Sequence, residues 1–479
     1  MKSFSSHPLQ SYRWIVGVYL LSFFLAACNT TENPGVVPPK NNPKPPSESR
    51  TLTDWTIDPD FDIATLGDAE TQAWYRRVGL EIEAEKNETC PPLDQPPEDY
   101  PRYPSSATIS ACSGIKHYVG RKLNFYVTSL FTLFRVTGDV ALIEEVDRVM
   151  EIARSRLTDT TGDGYRNFRR VEAFNDTDYN TKEDTLAHGF IAEVIYVFEK
   201  NAATSTPAHD YATHARAWLE YLRNDFETKW KQQPITRKTE GLPQRDLMHP
   251  YMEMLRYTAY MAKLFPKDPR YTRLRDAMTR VTLTNFKTDT TPKGEAFVWP
   301  HRVQEEASSR ECTAFQMGTY PQQTITVFID LALEGYAWFA SDEATLKLSR
   351  TLSESILEPT EKGFLYKDVG GLRNGSLKAT NPKMTIIDNF CFREASPGNS
   401  KDDPEGNYRS GGSYRLLPWG FLAAFAPDTT TPLESTEIYQ VNRDVYGDPF
   451  SSDTQVVDIS VPAAMAFARL YRAGHYTLQ

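Results

Sequence analysis

The sequence predicts an all-α fold built from helical hairpins, and two observations support this prediction. From about residue 51 onward, apolar residues recur at three- and four-residue spacing, which is the period of a helix with one buried face. The helical segments also alternate in character, because a strongly apolar segment precedes one that is charged on one side. Such alternation is expected of two layers, in which half-exposed helices cover buried ones.

The apolar segments recur at intervals of about 60 to 70 residues, and each precedes an amphipathic partner. The pairs are "HYVGRKLNFYVTSLFTLFRVTGD" with "ALIEEVDRVMEIARSRL", "EDTLAHGFIAEVIYVFEKN" with "HDYATHARAWLEYLRNDFETKW", "DLMHPYMEMLRYTAYMAKLF" with "YTRLRDAMTRVTLTNF", "YPQQTITVFIDLALEGYAWFA" with "EATLKLSRTLSESIL", and "YRLLPWGFLAAFA" with "VPAAMAFARLYRAG". This pattern resembles an (α/α)6 or (α/α)7 toroid, a barrel in which outer helices cover inner ones. A solenoid and two packed helical domains are alternatives, although no repeated motif favours a solenoid.

The first 28 residues indicate an export signal. Lys2 and Arg13 precede an apolar run that is too short to serve as a membrane anchor. The run ends in "LAAC", which resembles the lipobox of bacterial lipoproteins and implies that Cys28 is lipidated. An uncleaved signal anchor is the alternative. We therefore expect residues 1–28 to be a signal peptide, 29–50 a disordered Pro/Asn/Ser-rich tether, and 51–479 a single catalytic domain. The implied location is the bacterial cell envelope, with the chain anchored in the outer membrane and facing the periplasm or the cell surface.

The other four cysteines are an even number in an exported chain, which favours disulfides over free thiols. Three pairings are possible, and their loop positions favour Cys90 with Cys112 and Cys312 with Cys391. No Cys/His cluster has the spacing of metal ligands, so we expect no metal.

The formal net charge of -10 argues against nucleic acid as a partner. It leaves a polyanionic sugar open, because a basic cleft can lie on an acidic protein.

Polar residues concentrate where the apolar helices begin and in the loops before them. In a toroid these loops form a cleft at one end, so function is expected there. The residues concerned are His188, His249, Tyr251, His301, Arg302, Arg310, Tyr320, Gln322, Gln323, Asn389, Arg393, Tyr408, Arg409, Tyr414, Arg415 and Trp419. Each also has an ordinary structural explanation, since a histidine at a helix start often only caps the helix or forms a hydrogen bond.

These residue types suit β-elimination at a uronic acid. Removing the proton beside the carboxylate requires donors such as Asn, Gln, Arg or His, which stabilise the enolate that develops. A His or Tyr takes the proton, and a Tyr can protonate the departing oxygen. Arginines and aromatic rings would hold neighbouring sugars. No metal or organic cofactor is needed.

The "AHGF", "HPYMEM", "WPHRV" and "GTYPQQT" stretches, together with the helical hairpins, look like (α/α) toroid polysaccharide lyases that act on alginate or glucuronan. One such family, with seven hairpins, uses a histidine and a later tyrosine for proton transfer, supported by a glutamate and an arginine. Glu240, His249, Arg310 and Tyr320 occur here in that order, so the resemblance implies these roles. Another toroid alginate lyase motif, "NNHSYW", is absent, which leaves the polymer open.

The remaining candidates are expected to contact the substrate, an acidic polysaccharide or oligosaccharide. His188 would neutralise its carboxylate or otherwise touch the sugar. The expected substrate-binding residues are Tyr251, His301, Gln322, Asn389, Tyr408, Arg409 and Arg415.

Two other functions remain open. A toroid glycoside hydrolase would need two carboxylates facing each other across the cleft. The acids available for such a pair are Asp184, Glu253, Asp388 and Glu394. A surface glycan-binding lipoprotein without catalysis would need only aromatic side chains.

Overall fold

Helices form where the sequence carries the helical spacing, and the described chain is mostly helical. A computed structural model describes residues 50–65, 67–92, 95, 100, 106–170, 181–232, 238–239, 242–243, 247–304, 312–316, 320–360, 363–366, 375–376, 384–387, 390–393, 396–397, 417–425, 430–446, 449–450 and 459–475. The all-α prediction is confirmed at the level of class.

The described residues contain fifteen α-helices. They are α1 (Ala69–Lys86), α2 (Ala107–Ser113), α3 (Lys116–Tyr118), α4 (Asn124–Thr137), α5 (Val140–Arg154), α6 (Thr181–His188), α7 (Ile191–Lys200), α8 (Tyr211–Tyr221), α9 (Thr228–Gln232), α10 (Met248–Leu264), α11 (Pro269–Asn285), α12 (Tyr320–Leu333), α13 (Asp342–Arg350), α14 (Glu437–Tyr446) and α15 (Ser460–Leu470). π-helical turns at Val119–Leu123, Leu222–Glu227, Thr351–Ile356 and Tyr471–His475 extend several of them, and Leu417–Phe425 is a 3-10 helix.

Short strands occupy parts of the connections. They are β1 (Lys238–Thr239), β2 (Leu242–Pro243), β3 (Lys287–Thr291), β4 (Gly294–Val298), β5 (Thr313–Ala314), β6 (Leu357–Thr360), β7 (Gly363–Tyr366), β8 (Gly375–Ser376), β9 (Met384–Ile387), β10 (Phe390–Arg393) and β11 (Ser396–Pro397). Strand β10 pairs parallel to β5 and antiparallel to β9. The other strands form antiparallel pairs, β1 with β2, β3 with β4, β6 with β7 and β8 with β11.

The apolar and amphipathic helices differ in how they begin. The amphipathic helices α5, α8, α11 and α13 start at an Asp or Ser whose side chain accepts a backbone N–H of the first turn, as at Asp139, Asp210, Asp268 and Ser341. Among the described helices, the apolar α4, α7, α10 and α15 start without such a bond. A side-chain cap contributes about 1 kcal/mol, so the amphipathic helices carry their own start signal and the apolar ones depend on packing.

The helix contacts follow the predicted pairing, with one correction near the C terminus. Helix α4 packs on α5, α7 on α8, and α10 on α11. The segment "VPAAMAFARLYRAG" was expected to be an amphipathic partner, but α15 is buried along almost its whole length. Helix α15 does pack on Leu417–Phe425, as the pairing predicts, but it also packs on α1 and α4, and the amphipathic helices that pack on Leu417–Phe425 are α13 and α14. The prediction failed because a run of alanines is compatible with either layer.

Both favoured disulfides are present. Cys90 is bonded to Cys112 in α2, and Cys312 is bonded to Cys391 in β10. The second bond closes a connection of 79 residues and holds the segment before β5 against β10.

Buried charged side chains join α4, α7, α10 and α12. The Arg135 guanidinium lies 2.5 Å from both Asp330 and Glu334, and the Arg256 guanidinium lies 2.6 Å from Glu253 and 3.4 Å from Glu193. All of these ions are buried, and buried charges are tolerated when they are paired and hydrogen bonded. We call this group the buried ion network.

The described residues belong to one compact unit, Glu48–Gln479. Within them, no helix is both long enough and apolar enough to cross a membrane. The predicted signal peptide, Cys28 and the tether up to residue 49 lie outside the described residues.

Candidate functional site

The first turns of α10 and α12 bring a histidine and a tyrosine into contact. His249 is the second residue of α10 and Tyr320 the first of α12, and these two helices pack against each other. The two rings are stacked, with centroids 4.4 Å apart and planes 23° apart. His301 lies beside them, 5.2 Å from the Tyr320 ring and 6.2 Å from the His249 ring. Three of the predicted site residues therefore share one place.

Backbone hydrogen bonds set the position of His301. Its carbonyl accepts the N–H of Met248 at 3.0 Å, and its own N–H donates to the carbonyl of Ala314 in β5 at 2.7 Å. The Cys312 to Cys391 disulfide lies next to this strand. The loop carrying His301 is thus tied both to the start of α10 and to a small sheet.

His249 is completely buried, and within the described part of the chain neither ring nitrogen has a hydrogen-bond partner. Burial, together with the positive charge of Arg121, holds the pKa of His249 well below its usual value. The ring is therefore neutral at pH 7 and has one nitrogen that can accept a proton. Buried polar atoms without partners are uncommon in folded proteins, and here they lie against a tyrosine that is itself only partly buried.

Two cations flank the Tyr320 ring. The Arg121 guanidinium carbon is 5.9 Å and the Lys182 ammonium 6.0 Å from the ring centroid. Both pair with the buried carboxylate of Glu183, at 3.8 Å and 2.9 Å, and His117 lies 3.4 Å from the same carboxylate. We call these four residues the cationic cluster.

The cationic cluster carries a net positive charge. Burial raises the pKa of Glu183, but its hydrogen bond with His117 and the charges of Arg121 and Lys182 more than offset this and hold the pKa well below the usual value. Burial also lowers the pKa of His117. With His117 neutral, the formal charges of these four residues sum to +1.

His188 is a correction to the predicted site. It is fully buried, and both ring nitrogens are already bonded, Nδ1 to the Asp184 carbonyl and Nε2 to the Tyr221 hydroxyl, each at 2.7 Å. Its ring stacks on Phe226 at 4.1 Å, and burial lowers its pKa to about 4. His188 ends α6, about 10 Å along the axis from its first residue, which places it in the core with no atom left for a carboxylate.

Gly189, next to His188, serves helix packing. A Cβ atom there would lie 2.7 Å from the backbone oxygen of Glu253, so only glycine lets this turn approach α10 so closely.

The structure places the other candidates as follows. Tyr251 and Gln322 are buried. Tyr251 lies two residues after His249 on α10, and Gln322 lies two residues after Tyr320 on α12. Residues two apart do not share a helix face, so these side chains point away from the stacked rings. Glu240, Arg310, Asn389, Tyr408, Arg409 and Arg415 lie outside the described residues.

The acids considered for hydrolysis do not form an open pair where they are described. Asp184 is fully buried and pairs with Lys116 at 2.9 Å, while Glu253 pairs with Arg256. Asp388 and Glu394 lie outside the described residues.

Arg121, Lys182 and Glu183 were not among the residues predicted from the sequence, although they lie at or next to the pair of rings. Lys182 and Glu183 are the second and third residues of α6, so the rule that function collects at apolar helix starts already pointed to them. Arg121 lies in a π-helical turn, and no local sequence signal distinguishes it from a solvated arginine.

Within the described residues, no group of three or more His, Cys, Asp or Glu side chains could hold a metal ion. Comparison with known proteins found no matching family model, no matching curated protein and no matching solved structure.

Proposed function

We propose that the protein is a polysaccharide lyase that cleaves a uronic-acid polymer, such as alginate, polymannuronate or glucuronan, by β-elimination. The observation that supports this best is the contact between Tyr320 and the neutral His249, whose ring nitrogens have no hydrogen-bond partner among the described residues, beside the cationic cluster. This arrangement combines a proton acceptor, a proton donor and a positive field, which are the three groups that the reaction requires.

In the proposed reaction the His249 imidazole takes the proton from the carbon beside the uronate carboxylate. The electrons of that C–H bond form the new carbon–carbon double bond, and the bond to the glycosidic oxygen breaks. The Tyr320 hydroxyl protonates this departing oxygen. Negative charge that develops on the carboxylate in the transition state is stabilised by the positive charges of Arg121 and Lys182.

We also propose that the helices close into an (α/α)6 toroid. The supporting contacts run from α4 to α15, from α15 to the Leu417–Phe425 helix, and from that helix to α12. They continue from α12 to α10, from α10 to α6 and α7, and from α6 back to the π-helical turn that precedes α4. With α6 and α7 taken as one element, these contacts link six elements, which supports a ring of six inner helices.

Native-state hydrogen exchange tests the closed arrangement. In a closed ring, α4 and α15 exchange as slowly as α10, because no inner helix is at an open end. Faster exchange in both α4 and α15 than in α10 would instead indicate a solenoid with fraying ends.

The activity test incubates the purified protein with alginate, polymannuronate and glucuronan, and follows the ultraviolet absorbance of the unsaturated uronate together with new reducing ends. A lyase raises both signals. New reducing ends without absorbance would indicate hydrolysis, and binding without either would indicate a glycan-binding protein.

The residue test uses Tyr320→Phe and His249→Ala, each of which should abolish turnover while the circular dichroism spectrum persists. Tyr196→Phe is the matched control, because it removes a hydroxyl from another partly buried tyrosine, on α7. Retained activity in both site variants would refute the assigned pair.

We further propose that Cys28 is lipidated and holds the protein at the bacterial cell envelope. Cys28→Ala should move the full-length protein from the membrane fraction to the soluble fraction. An unchanged distribution would contradict the lipid anchor.

A further inference from the structure

A polar seam runs between α10 and α12. The polar residues that form it are spaced four, three and four residues apart on α10, and three, seven and four residues apart on α12. Each set therefore lies on one face of its helix. The members are His249, Glu253, Arg256 and Tyr260 on α10, and Tyr320, Gln323, Asp330 and Glu334 at the end of or just beyond α12. Contacts at both ends establish that the faces meet, because the His249 and Tyr320 rings touch and the Tyr260 hydroxyl lies 2.8 Å from Asp330.

Gln323 lies on this seam, three residues and about one turn after Tyr320 on α12. The side chain is 1% exposed, and in the part of the chain that the structure describes neither Nε2 nor Oε1 has a hydrogen-bond partner. Burying an amide without partners costs about 1–3 kcal/mol. Asp330 and Glu334, nearer the other end of α12, both bond to Arg135, although Asp330 Oδ2 has no hydrogen-bond partner among the described residues.

Two neighbouring glutamines differ from Gln323. Gln316 uses its Oε1 to accept the Trp299 indole N–H and the Thr324 hydroxyl, so its amide holds structure together. Gln322 is turned by about 200° from Tyr320 around the helix axis, which directs it away from the seam. Gln323 alone among these three combines the seam position with an amide unpartnered at both atoms among the described residues.

We propose that Gln323 is a specificity-determining residue that recognises the carboxylate of a sugar acid. Its Nε2 donates to a carboxylate oxygen, and its Oε1 accepts from a hydroxyl of the same sugar. The inference rests on the proposed function, because it places the sugar acid against Tyr320 and His249. Arg121 and Lys182 provide positive charge, while the Gln323 amide fixes the orientation of the carboxylate through a directional hydrogen bond. That hydrogen bond strengthens as negative charge moves onto the carboxylate during proton removal.

The first experiment compares Gln323→Leu with Gln316→Leu, the same substitution at a glutamine used by the fold. Leucine keeps the volume of Gln323 and removes the unsatisfied amide, so Gln323→Leu should raise the melting temperature and lower kcat/KM about 100-fold on the best polyuronate. Gln316→Leu should lower the melting temperature, because Trp299 and Thr324 lose their acceptor. A Gln323→Leu variant with wild-type kcat/KM, or one that is less stable than wild type, overturns the proposal.

Thr326→Val provides an activity control on the same helix, because the Thr326 hydroxyl donates to the Gln322 carbonyl one turn before it, a bond within α12 itself. It should leave kcat/KM within a factor of about two. An equal loss in Thr326→Val and Gln323→Leu would show that any change in α12 impairs the site and would overturn the specific role of Gln323.

The second experiment separates this inference from the proposed function by measuring thermal shifts with D-glucuronate and with D-glucose. Wild type should be stabilised by D-glucuronate more than by D-glucose, and Gln323→Leu should lose that difference. If wild type cleaves no polyuronate, the proposed function fails, yet a Gln323-dependent preference for D-glucuronate still supports carboxylate recognition. If lyase activity is present and Gln323→Leu retains both turnover and the preference, only the inference on Gln323 fails.

Discussion

Removing Arg135 from the buried ion network should destabilise the protein strongly. The guanidinium lies 2.5 Å from Asp330 and from Glu334 and 2.8 Å from the Tyr260 hydroxyl, and it stacks over the Trp55 ring at 3.8 Å. Breaking a buried ion pair by removing one partner typically costs about 3–5 kcal/mol, because the remaining charge is left without compensation. Lys263 still pairs with Glu334, so the uncompensated group in Arg135→Met is mainly Asp330.

The magnitude can be measured by urea unfolding followed by far-ultraviolet circular dichroism and tryptophan fluorescence, with coincident transitions as the condition for a free energy. We expect Arg135→Met to lose about 3–5 kcal/mol, since methionine refills most of the volume and leaves the electrostatic part. Adding Asp330→Asn to Arg135→Met should restore at least about 1 kcal/mol of the free energy of unfolding, because it removes the buried carboxylate that Arg135 no longer neutralises.

The matched control is Arg154→Met, at a partly exposed arginine that pairs with Glu151 on the surface of α5. Such a pair contributes about 0–1 kcal/mol. If Arg135→Met were no less stable than Arg154→Met, or if Asp330→Asn gave no recovery, the reasoning about the network would be refuted.

Three further predictions concern stability and the site. His188 has a folded-state pKa of about 4, below the ordinary 6.5, so the protein should lose about 3 kcal/mol of stability as the pH falls from about 6.5 to about 4. Urea unfolding from pH 7 to 4 should show the stability difference between wild type and His188→Gln shrinking by that amount. A difference that stays constant would contradict this prediction. Cys312→Ser removes a disulfide that closes a connection of 79 residues, so it should lower the free energy of unfolding by up to about 4 kcal/mol. It should also reduce turnover, because β5 holds His301. An unchanged melting temperature and unchanged activity would contradict this prediction. Gly189→Ala should lower stability by about 1–3 kcal/mol, because its Cβ would meet the Glu253 backbone at 2.7 Å, and a calorimetric melting temperature equal to wild type would show that the turn can move.

Depth along a helix decided which of the predicted histidines reach the candidate site. His249 is the second residue of α10, whereas His188 is the eighth of α6. Each residue advances about 1.5 Å along the axis, so His188 lies about two turns further from the helix start and is enclosed by Phe168, Tyr221 and Phe226. The sequence shows both histidines near helix starts but does not show how deeply each one is packed.

Rotation around a helix decided the other assignments. Gln322 was the predicted contact, yet Gln323 lies on the face shared with Tyr320, because residues three apart are neighbours on a helix and residues two apart are not. The sequence therefore identifies Gln323 rather than Gln322 only once it is known which face of α12 packs against α10. That face is identified by the contact of Tyr320 with His249.

The sequence by itself determined the helical class, the alternation of apolar and amphipathic helices and the polar residues at their starts. It also favoured the two disulfide pairings that the structure contains. These features depend on residues close in sequence, or on side-chain types, and can be recognised locally. Tertiary packing alone decided that Arg121 and Lys182 flank Tyr320, that His188 is enclosed, and that α15 is buried. Such contacts depend on how deeply and at what rotation distant helices pack, which no local spacing encodes.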